Sequence, residues 1–137
     1  MLDYTDEEQV LERYKTGHLW LGIVKNNENL EEYLQQEDLP NDNFCKFCKD
    51  IGLNEEYDED FIVIFPVIET PVAVNKILET EVPLRNEEEI TKAKNRCVEL
   101  GIEYANTFIF YSDPNLTIDK NKKYNGLDYI GCFLAEF

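Results

Sequence analysis

Two five-residue apolar runs, Phe61-Ile62-Val63-Ile64-Phe65 and Thr107-Phe108-Ile109-Phe110-Tyr111, most constrain the fold of this chain. Both fall far short of the roughly 18 apolar residues that can span a bilayer, and both are bounded by turn formers. Pro66 stops the first, and Asp113-Pro114-Asn115 follows the second. Each therefore reads as a buried strand. His18-Leu19-Trp20-Leu21-Gly22-Ile23-Val24 is too short for a helix between Gly17 and Asn26 and reads as a further, central strand. At the C-terminus Leu127, Tyr129, Gly131, Phe133, Ala135 and Phe137 alternate with Asp128, Ile130, Cys132, Leu134 and Glu136. That period of two predicts a last strand, antiparallel to its predecessor.

Capping residues locate the helices between these strands. Thr5 with Glu8 reads as a capping box that opens a helix ending before Gly17. Asn26 or Asn27 caps a helix that buries Leu30, Tyr33 and Leu34 and turns Glu28, Glu31, Glu32 and Gln35 outward. Asp42 and Asn43 precede Phe44, Phe47, Cys48 and Ile51 at helical spacing, with Gly52 as the stop. Thr70-Pro71 suggests a short helix carrying Val74, Ile77 and Leu78, or an extended edge. Asn86 with Glu89 caps a longer helix that buries Ile90, Ala93, Cys97 and Leu100 and closes at Gly101. The expected class is α+β, one domain over residues 1–137, with helices covering a mixed sheet of about four strands. No repeat or linker interrupts it.

Charge narrows the function. With 13 Lys plus Arg against 29 Asp plus Glu, the formal net charge is −16. Such a surface repels phosphate backbones and anionic membranes, so a basic protein partner is the expectation. The imbalance lies in residues 1–70, which hold 18 acidic and 5 basic residues, against 11 and 8 in residues 71–137. Glu55-Glu56-Tyr57-Asp58-Glu59-Asp60 is the densest stretch. The acidic, polar start of the chain is unlike an export signal, which points to the cytoplasm.

Chemistry-bearing patterns are sparse. Cys45 and Cys48 form a C-x-x-C, but zinc wants about four ligands, and Cys97, Cys132 and His18 are scattered over three other elements. Core cysteines are the simpler reading. His18 is the single histidine and opens a strand, a structural position. Asp113, Asn115, Thr117 and Asp119 start like a calcium loop, but Ile118 and Tyr124 stand where glycine and glutamate belong. Carboxylate pairs such as Asp58 with Asp60 are too solvated to keep a general acid neutral. No catalytic residue, cofactor or metal is assigned.

Several segments in order resemble one known family. They are His18-Leu19-Trp20-Leu21-Gly22, the acidic helix with Leu30 and Tyr33, Phe44-x-x-Phe47-x-x-Asp50-x-Gly52, Tyr57-Asp58-x-Asp60-Phe61, and the closing Tyr129-x-Gly131-x-Phe133. The set resembles class twenty-two of the bacterial immunity proteins from polymorphic toxin systems, formerly a domain of unknown function. It covers the chain from residue 18 onward and leaves residues 1–17 as an N-terminal helical addition. Ile23-Val24 departs from the polar and aromatic pair expected after Gly22. The resemblance implies a non-catalytic cytoplasmic protein that binds and neutralises a toxin encoded beside it, often a nuclease.

On that reading Glu55, Glu56, Asp58, Glu59 and Asp60, flanked by Glu31 and Glu32, form the partner-binding face, with Tyr57 as an aromatic anchor. Capping by Asp58 and Asp60, and core packing of Tyr57, are the alternatives. Without the resemblance, an acidic regulatory or adaptor domain fits the residues equally, and a small hydrolase would need a deep pocket with a raised-pKa carboxylate.

Overall fold

Strand β1 (Thr16–Gly22) lies at the centre of the sheet because its residues are apolar on both faces. Leu19 and Leu21 point to one side and Trp20 to the other. The computed structural model describes residues 12–36 and 45–136. After β1 the chain forms helix α1 (Asn27–Leu34), helix α2 (Lys46–Asp50), a 3-10 turn (Glu59–Phe61) and strand β2 (Ile62–Ile64). Strand β3 (Val72–Ala73), helix α3 (Val74–Thr80) and helix α4 (Glu87–Leu100) follow. Strands β4 (Tyr104–Ala105), β5 (Thr107–Tyr111), β6 (Lys123–Tyr124) and β7 (Leu127–Leu134) complete the order.

The α+β class is as expected, and the sheet differs in its pairing. Among the described residues five strands run in the order β2-β5-β1-β7-β6, with β3 and β4 forming a separate pair, and every pairing is antiparallel. The C-terminal strand β7 does not lie beside β5, because β1 sits between them and pairs with both. Its simple alternation also fails. A register shift opposite Leu19 and Trp20 places Leu127 and Tyr129 with one core and Ile130, Phe133 and Ala135 with the other. A bulge of one residue reverses which face each later side chain meets.

The two cores explain the uninterrupted apolar runs. On one face α3 and α4 bring Ile77, Leu78, Ala93 and Cys97 against Leu19, Leu21, Phe108 and Phe110. On the other, α1 and α2 bring Leu30, Leu34, Phe47 and Cys48 against Trp20, Ile109 and Tyr111. A strand covered on both faces has no solvent side to mark with polar residues. Trp20 is the hub of the second core, edge-on to Phe47 and Tyr124 at 5.0 and 5.8 Å between centroids.

Several local expectations meet the structure directly. Asn26 caps α1 by accepting from the Asn29 amide at 2.8 Å, and Asn86 caps α4 from the Glu89 amide at 3.0 Å. Gly101 ends α4 in the left-handed conformation, φ 74°, which a side chain would oppose. Helix α2 is capped by Cys45 Sγ, which accepts from the Cys48 amide at 3.1 Å; Asp42 and Asn43 lie outside the described residues. The helix expected from Thr5 lies mostly outside them too, with Glu12 and Arg13 helical and Thr16 already in β1. The apolar run Tyr104 to Tyr111 is broken at Asn106, whose side chain bonds both backbone groups of Val24, at 3.0 and 2.9 Å.

Candidate partner-binding site

The two acidic segments read from the sequence converge on one side of the molecule. An open cleft of about 550 Å³ is lined by Glu55 to Asp60 together with Arg13, Gln36, Tyr111 and Asp113. Beside it a second cleft of about 490 Å³ is lined by Glu28, Glu31 and Glu32 of α1, with Gln35, Leu34, Gln36, Tyr57 and Glu59. Gln36, Tyr57 and Glu59 belong to both walls, so the clefts form one trough. Among the described residues nine carboxylates and a single cation line it.

Tyr57 makes the convergence possible. Its amide donates to Gln36 Oε1 at 2.7 Å and its hydroxyl to Leu34 O at 3.1 Å, tying the acidic loop to the end of α1. Only 8% of the residue is exposed. Of the two expectations for Tyr57, aromatic anchor or core packing, its surroundings are those of core packing: the ring lies edge-on to Phe47 and Tyr111, and its amide and hydroxyl bond inside the protein. Burial, with neighbouring acidic groups behind it, pushes the phenol above its ordinary value.

Asp58 and Asp60 divide into different roles. Asp58 caps the 3-10 turn, accepting from the Asp60 amide at 3.0 Å, and its own amide donates to the Tyr111 hydroxyl at 2.9 Å. Its carboxylate also lies 3.7 Å from the Arg13 guanidinium. Asp60 is exposed, and its carbonyl accepts from the Tyr14 hydroxyl at 2.8 Å. Glu55, Glu56 and Glu59 are exposed and form no ion pair among the described residues. Glu31 accepts a long bond from Asn27 at 3.4 Å, and Glu32 has an exposed pairing with Lys46 at 3.9 Å. Such a surface pair is worth little.

Arg13 is the residue that sequence reasoning missed. Although 5% exposed, it donates from Nε to Ser112 O at 2.7 Å and from Nη2 to the Tyr111 hydroxyl at 3.1 Å. Its guanidinium stacks over the Phe61 ring at 4.0 Å. Arg13 is thus held within the fold, and among the described residues the trough's carboxylates outnumber it, so the field there stays negative.

The remaining candidates are structural in their surroundings. His18 Nε2 faces Asp113 O at 3.2 Å and Nδ1 faces the Tyr129 hydroxyl at 2.7 Å. A neutral ring protonated on Nε2 satisfies both, and burial holds its pKa below the ordinary value. Cys45 and Cys48 are buried, and the Cys48 thiol donates to Gln36 Oε1 at 3.5 Å. The thiol–thiol contact with Cys48, reinforced by burial, pushes Cys45 up. Among the described residues, no three His, Cys, Asp or Glu side chains are grouped to hold a metal ion. No helix among them is long and apolar enough to cross a membrane.

The fold is thus an α+β domain whose sheet is covered on both faces, with an acidic trough beside α1. The family model for Immunity protein 22 matches residues 18–136, and the chain belongs to that family. Its role is therefore that of a toxin-neutralising immunity protein with a protein partner. Arg13 precedes the matched span. Neither the curated proteins nor the solved structures contain a match.

Proposed function

We propose that this immunity protein neutralises a basic nuclease toxin by laying the acidic trough over the toxin's phosphate-binding surface. The observation that carries the reading is the convergence of Glu31 and Glu32 with Glu55, Glu56, Asp58, Glu59 and Asp60 around one trough in which Arg13, the one cation among its described lining residues, is bonded within the fold. A nuclease must hold a polyanion, so its cleft presents cations in a row. Carboxylates spaced along a trough offer those cations a substitute for phosphates, and the one-signed field speeds encounter. Inhibition is then occlusion, in the cytoplasm where the toxin would act. Residues 1–17 contribute Arg13 as an addition that braces the trough from below.

The test is titration against the purified toxin domain encoded beside the gene, at low and high salt, with nucleic-acid cleavage read in parallel. A nanomolar complex corresponds to about 12 kcal/mol. Changing Glu55, Glu56 and Glu59 together to Gln should weaken it about 10- to 100-fold and flatten its salt dependence, at roughly 0.5–1 kcal/mol per rim charge. Thermal unfolding should stay unchanged, since none of the three forms an ion pair among the described residues. Unchanged affinity in the triple variant would sink the trough mechanism; a complex that leaves cleavage intact would sink occlusion.

A further inference from the structure

Beside the acidic trough, one sheet edge borders an apolar groove. Among the described residues β2 is the outermost strand on its side of the sheet and pairs only with β5, which leaves its outer edge open. Phe65 N donates to Phe108 O at 3.0 Å, and Ser112 N to Phe61 O at 2.9 Å. Antiparallel bonding uses alternate residues, so Phe61, Val63 and Phe65 face β5 with their backbone groups. The N–H and C=O of Ile62 and Ile64 point away from the sheet, and no described residue bonds them. Natural edges are usually blunted by a charge, a proline or a bulge. Ile62-Val63-Ile64 contains neither charge nor proline, and its pairing with β5 runs without a register shift.

Along that edge runs a groove of about 340 Å³ floored by Leu30, Leu34, Tyr57, Ile64 and Pro66. Glu31 stands on its rim, and Glu31, Leu34 and Tyr57 are shared with the acidic trough. Backbone donors and acceptors, an apolar floor and a bank of negative charge thus lie within one strand's length.

We infer that β2 accepts an extended segment of the toxin as an added strand. Side chains on one face of a strand recur every two residues, about 7 Å apart. One apolar side chain of the segment fills the groove between Leu30, Leu34 and Ile64, and Lys or Arg side chains two residues away reach Glu31 and Glu59. The backbone groups of Ile62 and Ile64 supply up to four hydrogen bonds, which give affinity, while the groove and the carboxylates choose the sequence. Charge selects this occupant over a second copy of the chain, whose own edge carries the same carboxylates and whose net charge is also −16. The inference rests on the immunity reading and adds where and how the toxin is gripped.

The test is amide hydrogen exchange on the full chain, free and bound to an inactivated form of the toxin domain encoded beside it. In the free protein Ile62 and Ile64 should exchange quickly, while Val63, bonded to β5, is protected. In the complex both should slow at least 10-fold. A tight complex that leaves the two amides exchanging at their free rates overturns strand addition and leaves the immunity reading standing. Failure to form any complex overturns that reading and this one with it. Concentration-dependent protection of the two amides without toxin would assign the edge to a second copy instead. As a second arm, Ile64→Pro removes one outward donor and should weaken binding at least 10-fold with the salt slope unchanged. Glu31→Gln with Glu59→Gln should reduce the salt slope while protection of Ile62 and Ile64 persists. Should the proline variant unfold, exchange in the unaltered protein still decides.

Discussion

Replacing Arg13 with methionine isolates the support beneath the acidic trough. Methionine keeps an unbranched apolar stem at this position and deletes the guanidinium that lies over Phe61. The Ser112 carbonyl loses its donor at 2.7 Å, which costs about 1–3 kcal/mol if no water reaches it. Loss of the charge over the Phe61 ring, at 4.0 Å, costs about 1 kcal/mol more. The ion pair to Asp58 is long, at 3.7 Å, and Asp58 is 28% exposed, so screening leaves it at about 0.5 kcal/mol or less. Tyr111 Oη retains the Asp58 amide as a donor, and part of the cost of burying a charge is recovered. The net expectation is a loss of about 2–3 kcal/mol. For a urea slope of roughly 1.5 kcal/mol per molar, the midpoint should fall by about 1.5–2 M. Equilibrium unfolding followed by the fluorescence of buried Trp20 reads this directly. A shift below about 0.3 M would refute the reasoning, because it would mean that the guanidinium contributes no more than the methionine that replaces it.

Three further outcomes are expected. His18 has a folded pKa below its unfolded value, so its contribution to stability is complete above about pH 6.5 and is lost as pH falls from there towards the folded value. Unfolding midpoints at pH 7.5 and 5.5 should therefore differ more in the native protein than in His18→Gln, and equal differences would reject the buried neutral ring. Gly17→Ala places a methyl inside the ring of buried Phe110, an overpacking worth about 1–3 kcal/mol, and calorimetry should show the melting temperature lower by about 3–10 °C. An unchanged melting temperature would mean the ring moves freely. Cys132 alone is exposed, so a thiol reagent should titrate one cysteine quickly in the native protein and Cys45, Cys48 and Cys97 only on unfolding; rapid modification of two or more would contradict the packing.

What could be read from the sequence divides along the range of the interactions involved. Asn26, Asn86 and Gly101 announce helix ends because a cap bonds an amide three residues away and a glycine stop is a property of its own backbone. The position of β1 between β5 and β7 depends on pairings about 90 and about 110 residues apart, and the slip near Ile130 leaves the alternation of β7 looking regular in the sequence. Asn106 did leave a signal, as one amide in an apolar run. Arg13 left none: a single arginine near an amphipathic pattern reads as solvated, whereas Tyr111, Ser112 and Phe61, all distant in sequence, hold it inside.

Tyr57 carries that argument into the site. An aromatic side chain amid five carboxylates leaves two readings open in the sequence, an aromatic anchor or core packing. Its hydroxyl finds the Leu34 carbonyl near the end of α1, and its amide finds Gln36, so the ring turns inward and the carboxylates stay out. The bonds that withdraw Tyr57 from the surface are also what hold the Glu55–Asp60 loop beside Glu31 and Glu32. Burying the one apolar residue of the loop therefore builds the trough, and it leaves Tyr57 as part of the groove floor beside Ile64, where an incoming apolar side chain can meet it.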